Sequence, residues 1–434
     1  MALDFSKQLE MHAPRQVSSA MDAKFVKHKE QMKEPAANLP HVLLVCHDRY
    51  LSGANRALID WLEGRDHSKA LITILLPRNN EESRRQFEAL GCEVWSAPFV
   101  LSVKYLESQG LPRTIKGFMK RMWSLLVHPV LARRIARKAR EKGVNIVHSN
   151  SFATTFGAEI AEAMGVPHVW HIREFCEEDH GFTHYNLSHL ESLCKHSHAI
   201  FISDVVRDYQ VQRHVFLSGS VIYDSVHFDP DVAISRSFME DGVCNIIMVG
   251  AIAKGKGQLE AIKAVKIMRD EGKNVRLYLC GQGDRGMLKP ILAGCEDFIL
   301  DLGYRDDVTQ IRTMMDIALV CSRMEAFGRV TVEGQYYGNV VIGADAGCSP
   351  YLIENGKTGF LYEKGNSEDL ARKIEFCIDN PALMMSIKSK ARSVAIRCYA
   401  NDISGHIYRI YEHVLATKFT GDRSNCLDMQ WRGC

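Results

Sequence analysis

Two carboxylates, Glu325 and Glu333, stand eight positions apart in a stretch whose glycine pattern suits anion binding. An apolar run that predicts a buried strand ends at Cys321, and a helical run extends from Val330 to Tyr337, with Phe327 and Gly328 between them. A strand end, a glycine turn and a helix N-terminus together form a site for phosphate. Because carboxylates accept hydrogen bonds from hydroxyl groups, the pattern indicates a ligand with both phosphate and hydroxyls, such as a nucleotide sugar.

A second phosphate-binding pattern follows the predicted strand from Cys244 to Gly250. Lys254 and Lys256 lie among glycines directly before a predicted helix, Gln258 to Asp270. Lysines and glycines before a helix suit a phosphate loop. The run is neither a Walker A sequence nor GxGxxG, which disfavours an ATPase or a dehydrogenase.

Two stretches of the N-terminal half also end predicted strands. Gly53 lies in a strand-to-helix turn where the backbone can approach a ligand closely. His171 ends another strand together with Arg173 and Glu174, and clustered ionisable groups at the carboxyl edge of a sheet favour a functional role. The histidines between His180 and His198 lack the spacing of a metal-ligand motif, so no metal site is predicted.

Strands alternate with helices along the whole chain, which predicts α/β units with parallel sheets. The chain has 434 residues, too many for one ordinary core, so two domains are expected. The predicted boundaries are a flexible leader at 1–39, a first domain at 40–226, a linker at 227–243, a second domain at 244–398, a last helix at 399–418 and a frayed tail at 419–434.

Composition narrows the class of protein. A net charge of +2 disfavours nucleic-acid binding. The thirteen cysteines are scattered without CxxC pairs, which is typical of a reducing compartment and disfavours a zinc site. No secretory signal and no membrane-spanning run is found, so a cytoplasmic location is expected.

A basic segment from Arg113 to Lys142 contains ten lysines and arginines against the single acid Glu141, with apolar residues interleaved. Two interpretations are equally supported. The segment is either an amphipathic helix pair that lies on an anionic membrane at its inner face, or a solvated basic surface over a buried apolar stripe.

The order and spacing of the motifs resemble glycosyltransferase family 4, the retaining nucleotide-sugar transferases of the GT-B fold. The similarity covers roughly residues 41–417 and is carried by these runs: 52–54, 146–148, 170–174, 249–250 with 256–257, 281–283, 303–307, 322–333, 345–347 and 355–361. The resemblance implies two Rossmann-like parallel-sheet domains that face each other across a cleft. It also implies that the helix at 399–418 crosses back to the first domain.

The resemblance also implies a role for each matching residue. Lys256 contacts the donor diphosphate, Glu325 the donor sugar and Glu333 the ribose hydroxyls, while His171 lies near the sugar as a second catalytic residue. Donor contacts are further expected from these residues: Gly53, Gly250, Tyr304, Arg305, Phe327, Gly328, Arg329 and Val330. No cofactor is implied besides the donor substrate.

The sequence departs from the family at four positions: Ala251 replaces an arginine of the phosphate loop, Cys348 a glycine, Tyr351 a glutamate and Gly334 an alanine. Lys254 or Arg329 is the candidate to replace the lost cation. The expected function is metal-independent transfer of a hexose to a glycan or lipid-linked acceptor in cell-surface polysaccharide or glycolipid synthesis. Two alternatives stay open, a non-catalytic sugar-nucleotide-binding scaffold for a partner transferase and a nucleotide-sugar epimerase.

Overall fold

The computed structural model describes residues 39–106, 111–213, 215–216, 219–229, 232, 236–417 and 427–433, with only the backbone at 111–114 and 116. The predicted leader therefore lies outside the described residues, except for Leu39. The chain forms two compact units. The N-terminal unit contains the described residues up to Ser225 and from Asp402 onward, and the C-terminal unit contains those from Val226 to Asn401.

The N-terminal unit is built on a parallel sheet of eight strands, in the order β16-β9-β8-β6-β5-β1-β2-β3. A separate antiparallel pair joins β4 to β7. Most of the central strands are buried along their length, as expected for parallel strands covered on both faces. The strands are β1 His41–Val45, β2 Leu71–Leu76, β3 Glu93–Ser96, β4 Val103–Tyr105, β5 Ile146–Ser149, β6 His168–Ile172, β7 Phe182–His184, β8 Ser197–Phe201, β9 Ser220–Ile222 and, from the C-terminal region, β16 Gln430–Trp431.

Helices follow most of these strands. The described helices of this unit are α1 Gly53–Glu63, α2 Glu81–Ala89, α3 Leu111–Leu126, α4 His128–Glu141, α5 Phe156–Met164, α6 Glu177–His180, α7 Leu187–Lys195, α8 Asp204–Gln212 and α16 Ser404–Ala416. Apolar side chains of α16, among them Ile407, Ile410 and Val414, are fully buried in the same core as Val42 and Leu44 of β1.

The C-terminal region completes the N-terminal unit. The Tyr411 hydroxyl of α16 lies 2.7 Å from Nδ1 of His148 on β5, and both residues are buried. The prediction of a frayed tail is wrong for residues 427–433, because β16 pairs with β9 in parallel and Arg432 bonds Asp204. A two-residue strand gives no sequence signal, since its stability comes from the edge it extends.

The C-terminal unit has a six-stranded parallel sheet in the order β12-β11-β10-β13-β14-β15. Its strands are β10 Cys244–Val249, β11 Val275–Cys280, β12 Ile299–Gly303, β13 Ile317–Val320, β14 Val340–Ala344 and β15 Phe360–Tyr362. Its helices are α9 Gln258–Asp270, α10 Lys289–Leu292, α11 Val308–Thr313, α12 Arg329–Tyr336, α13 Ser349–Leu352, α14 Ser367–Asp379 and α15 Pro381–Tyr399, with short 3₁₀ turns at Lys254–Lys256 and Arg285–Met287. The predicted α/β class with parallel sheets is confirmed.

Five buried histidines predict how the stability of the N-terminal unit depends on pH. Burial lowers the pKa of His168 to about 3 and the pKa values of His184 and His198 to about 4. Burial also lowers the pKa values of His148 and His171 well below 6.5. Because unfolding restores ordinary pKa values near 6.5, the unfolded state binds more protons below that pH, and each histidine then contributes a loss approaching about 1.4 kcal/mol per pH unit.

We therefore expect the free energy of unfolding to fall by several kcal/mol between about pH 6.5 and pH 5. Urea denaturation followed by circular dichroism at several pH values measures this slope. Replacing His198 by glutamine should reduce the slope of the unfolding free energy with pH by the contribution of one bound proton. The same change at exposed His196 should leave the slope unaltered. A slope that is the same for both variants would contradict the assignment.

Candidate active site

Three loops of the C-terminal unit meet at one edge of its sheet. They follow the adjacent parallel strands β10, β13 and β14, so their first residues emerge on the same side. The loop after β10 is joined to the loop after β13 by a hydrogen bond from the Arg323 N–H to the Gly255 carbonyl, 2.9 Å long. Gly257, at φ +77°, lies so close to Cys321 that a Cβ would stand 2.2 Å from the carbonyl oxygen of Cys321.

This junction places the predicted phosphate-binding lysine beside the first predicted carboxylate. Lys256 Nζ donates to Glu325 Oε1 at 2.7 Å. The Ser322 hydroxyl donates to the same carboxylate oxygen. The Glu325 side chain is 13% exposed and that of Lys256 is 32% exposed. The two residues thus form an accessible ion pair at the edge of the sheet, with both groups partly shielded from water.

The loop after β14 fixes the backbone of Glu325. The Cys348 N–H donates to the Glu325 carbonyl at 2.8 Å. Gly347 has φ +57°, and a Cβ there would stand 2.6 Å from both the nitrogen and the oxygen of Glu325. Cys348 is itself fully buried, so its backbone bond to Glu325 joins this loop to the interior of the unit.

A buried arginine, which the sequence analysis did not identify, holds the second carboxylate, Glu333, from the interior side. Arg312 of α11 is 2% exposed and donates from Nη2 to Glu333 Oε2 at 3.0 Å. Asn339 anchors the end of α11 by donating to the Arg312 carbonyl at 2.7 Å. Arg329 Nη2 lies 3.9 Å from the other oxygen, Glu333 Oε1. One guanidinium therefore orients the carboxylate from the interior, and a second lies near its exposed side.

The turn between the two carboxylates starts helix α12. Gly328 precedes the helix, whose first two residues are Arg329 and Val330. Phe327 is buried and its ring centroid lies 5.7 Å from that of Tyr399. The phenylalanine therefore anchors the turn by packing, and the N-terminus of α12 lies between Glu325 and Glu333 in sequence.

The remaining predicted contacts of this unit occupy neighbouring loops. Gly250 directly follows β10, and Ala251 is exposed, with its carbonyl accepting a hydrogen bond from Gln258 at 2.8 Å. Tyr304 is 50% exposed after β12. Arg305 forms two bonds to Asp307, at 2.7 and 2.6 Å, so a local carboxylate already balances its charge.

Gly53 and His171 belong to the N-terminal unit. A Cβ at Gly53 would meet no heavy atom within 4 Å, so no steric contact inside the unit requires glycine there. His171 is fully buried, its Nδ1 lies 3.4 Å from Arg173 Nη2, and its Nε2 has no hydrogen-bond partner among the described residues. Burial, with the charges of Arg173 and His148, lowers the pKa of His171, so its ring is neutral at pH 7.

The residues around His171 form a buried polar network. Arg173 Nη1 bonds Asp224 at 2.7 and 2.6 Å, and Arg173 Nε donates to Asn150 at 2.8 Å. The Glu174 carboxylate accepts hydrogen bonds from the N–H groups of Phe152 and Ala153. Arg173 and Glu174, which the sequence placed in a functional cluster, thus have structural partners within the unit.

Within the part of the chain that the structure describes, no three His, Cys, Asp or Glu side chains form a cluster suited to a metal ion. No helix among those residues combines the length and the apolar content needed to cross a bilayer.

Comparison with known proteins relates the C-terminal unit to a sequence family. Residues 237–394 match the model for "Glycosyl transferases group 1". The D-inositol 3-phosphate glycosyltransferase of Corynebacterium kroppenstedtii is 28% identical over 212 residues, which cover 44% of this chain and 47% of that protein. The capsular polysaccharide biosynthesis glycosyltransferase CapM of Staphylococcus aureus is 30% identical over 33% of this chain and 39% of its own length. The chain thus spans about half or less of these two relatives.

A solved structure extends the comparison to both units. The structure of Anabaena Alr3699/HepE in complex with UDP and glucose superposes with a TM-score of 0.65 over 86% of this chain and 99% of that chain, at 20% sequence identity. The likeness shows that this chain has the GT-B fold, with two Rossmann-like units, as the sequence predicted.

Proposed function

Because residues 237–394 match the group 1 glycosyl transferase family, we propose that this chain is a retaining glycosyltransferase of family 4. It moves a hexose from a nucleotide-diphosphate sugar to a glycan or lipid-linked acceptor in cell-surface polysaccharide or glycolipid synthesis. The observation that carries the proposal is the ion pair of Lys256 with Glu325, 2.7 Å apart, at a sheet edge beside the start of α12.

The proposed chemistry follows from the charges that develop as the glycosidic bond breaks. Negative charge grows on the leaving diphosphate, where Lys256 and the N-terminus of α12 stabilise it. Positive charge grows on the sugar ring, where the Glu325 carboxylate stabilises it and orients the hydroxyls. Glu333, which Arg312 holds in place, accepts hydrogen bonds from the ribose hydroxyls. Because these groups supply the counter-charge, the transfer is proposed to need no metal.

Ala251 stands at the position where the family pattern has an arginine. The proposed diphosphate site therefore has one cation fewer than that pattern provides. Lys254 lies exposed in the same loop. Arg329 stands at the first position of α12, near Glu333. Either is placed to contribute the second positive charge, and single replacements of the two would identify which one does so.

Relatives suggest which substrates to test first. The solved structure of Alr3699/HepE holds UDP and glucose. The names of the two relatives cite inositol phosphate and capsular polysaccharide. UDP-hexoses are therefore the first donors, and polyol phosphates and lipid-linked glycans are the first acceptors.

A turnover assay separates the proposal from the two alternatives. The whole protein is incubated with each nucleotide sugar, with and without acceptor, and NMR follows donor, free sugar and product. Transfer with retained anomeric configuration supports the proposal. Tight donor binding with no turnover on any acceptor would favour the scaffold, and isomerisation of the donor alone would favour the epimerase.

We further propose that α3 and α4 contact an anionic membrane at its cytoplasmic face. Large apolar side chains are exposed along this helix pair: Ile115, Phe118, Met119, Trp123, Leu125, Leu126 and Val130. Between Lys120 and Lys142 the same segment has eight lysines and arginines and the single acid Glu141. An exposed apolar stripe bordered by cations is typical of a helix that lies in the membrane interface.

Sedimentation with vesicles tests this surface. We expect wild-type protein to pellet with vesicles containing roughly 30% anionic lipid at physiological salt, because each basic residue near such a surface adds about 1 kcal/mol. Phe118→Ser with Leu126→Ser should abolish pelleting. Leu383→Ser, at an exposed leucine of the C-terminal unit, is the matched control. Wild-type protein that stays in the supernatant would discard the membrane contact.

A further inference from the structure

The N-terminal unit contains a cavity of about 470 Å³ beside the helix pair α3 and α4. Side chains of α3, α4, α5, β7 and α7 line it. Its volume lies in the range of sites that hold small ligands. None of the predicted donor-site residues lines it, so it needs an explanation of its own.

The base of the cavity carries a fixed negative charge. The Thr155 hydroxyl donates to Glu159 Oε1 at 2.6 Å. His189 Nε2 lies 3.6 Å from the same oxygen, and His128 Nδ1 lies 3.6 Å from Glu159 Oε2. Burial alone would raise the pKa of Glu159, but these three partners outweigh it and lower the pKa to about 2. The carboxylate is therefore ionised and held in one orientation, with Oε2 making no hydrogen bond of ordinary geometry among the described residues.

A buried imidazole adds further polar capacity. His184 lines the cavity and is 4% exposed. Its ring packs on Phe152, with centroids 4.9 Å apart. Neither ring nitrogen makes a hydrogen bond of ordinary geometry with a described residue. The backbone of Phe152 interacts with one nitrogen of the ring, and because a buried polar group without a partner costs free energy, the other nitrogen is available to bond a ligand or a water in the cavity.

Two arginines border the same cavity. Arg121 is on α3 and Arg133 on α4, and both line the cavity wall. Neither guanidinium has an ion pair or a hydrogen bond with any residue that the structure describes. Guanidinium groups bind phosphate through paired hydrogen bonds. Two arginines and two carboxylates, Glu159 and Glu162, line the cavity, and this combination matches a ligand in which a phosphate is attached to a hydroxyl-rich group.

The cavity continues into the exposed apolar surface of α3. Leu125 lines the cavity and is itself 46% exposed, and Leu126 is 65% exposed. A ligand whose phosphate meets the arginines can therefore extend a hydrocarbon chain along α3. The cavity can therefore bind the polar part of an amphiphile while the adjacent surface of α3 contacts its apolar part.

We propose that this cavity binds the head group of a phosphate-bearing lipid. The phosphate contacts Arg121 and Arg133, the hydroxyls of the head group reach Glu159 and His184, and the lipid chain follows α3. This assignment is independent of the proposed transfer reaction, because it rests only on the residues that line the cavity.

Binding of a lipid that contains no nucleotide tests the cavity separately from the transfer reaction. Calorimetry measures the affinity of the whole protein for a short-chain phosphatidylinositol below its critical micelle concentration. Loss of one charge-assisted contact is expected to weaken binding about 10-fold, so Arg121→Gln and Arg133→Gln should each have that effect and the pair about 100-fold. Glu159→Gln should weaken this inositol lipid more than a short-chain phosphatidic acid, which lacks the hydroxyl-rich group.

Matched controls separate a specific cavity from general surface charge. Arg134→Gln and Arg137→Gln remove the same charge from exposed positions of α4 that do not line the cavity, and each should change affinity less than about 2-fold, since neither loses a direct contact. Equal losses in the control variants would overturn the proposal, as would no binding by wild-type protein. Inorganic phosphate that binds as tightly as the lipid would show an anion site and overturn the head-group assignment. If the lipid result holds while nucleotide sugars neither bind nor turn over, the proposed transfer fails and the cavity stands.

Discussion

Replacing Glu325 by glutamine is expected to lower the rate of sugar transfer by about 100- to 1,000-fold, the cost of removing one well-placed electrostatic group from an active site. The amide keeps the shape of the side chain but loses the charge that stabilises the sugar ring. Initial rates at saturating donor measure the effect on kcat. The thermal midpoint should stay near that of wild type, because Glu325 is on a loop at the sheet edge rather than in the core.

The affinity for the nucleoside diphosphate provides a second test of the role proposed for Glu325. Lys256 and Glu325 bond each other at 2.7 Å, so a diphosphate that binds Lys256 competes with that carboxylate. Glu325→Gln should therefore retain or increase affinity for the nucleoside diphosphate, whereas Lys256→Gln should weaken it. Glu354 is an exposed carboxylate of the same unit and pairs with Lys357. Glu354→Gln should therefore change neither the rate of sugar transfer nor the affinity for the nucleoside diphosphate. Full transfer activity in Glu325→Gln would eliminate the role proposed for this residue.

Replacing Asp224 by asparagine is expected to destabilise the N-terminal unit by about 3–5 kcal/mol, the typical cost of removing one partner of a buried ion pair. The side chains of Arg173 and Asp224 are 5% and 4% exposed. Without the carboxylate, the Arg173 guanidinium stays in the interior with only the neutral partners Asn150 and His171 among its described side-chain contacts. Urea denaturation of the variant and of wild type at pH 7 measures the difference in the free energy of unfolding.

Two further variants make this test specific. Arg173→Met combined with Asp224→Leu should recover much of the lost stability, since apolar residues of similar volume often replace a buried ion pair at little cost. Asp208→Asn breaks an exposed pair with Arg207 and should cost less than about 1 kcal/mol. If Asp224→Asn destabilises the protein no more than Asp208→Asn, the buried pair does not contribute as proposed.

Much of the C-terminal site could be predicted from sequence because parallel strands give a simple rule. Apolar runs identified β10, β13 and β14, and residues that follow adjacent parallel strands emerge at one edge of a sheet. The proximity of Lys256 to Glu325 follows from that rule, although they are 69 positions apart. Gly347 illustrates its limit, because only the coordinates show that its lack of a Cβ makes room for the backbone of Glu325.

Other features depend on partners that no local pattern reveals. Arg312 resembles any surface arginine of a short helix until Glu333 is found 3.0 Å away. The run at Arg173 and Glu174 was recognised as a charged cluster, yet its partners Asp224, Phe152 and Ala153 come from other loops. Because long-range pairings decide whether a charged group is buried, sequence indicated the cluster but not its structural function.

The division of the units has a consequence for biosynthesis. Among the described residues, the C-terminal unit comes from a single segment, Val226 to Asn401, whereas the N-terminal unit needs α16 and β16, which follow that segment in the chain. Translation proceeds from the N-terminus, and domains fold as units. The C-terminal unit is therefore the first whose whole sequence is available, although it is encoded second. The complete core around β1 and the bond of His148 to Tyr411 can therefore form only once residues that leave the ribosome after the whole C-terminal unit have been made.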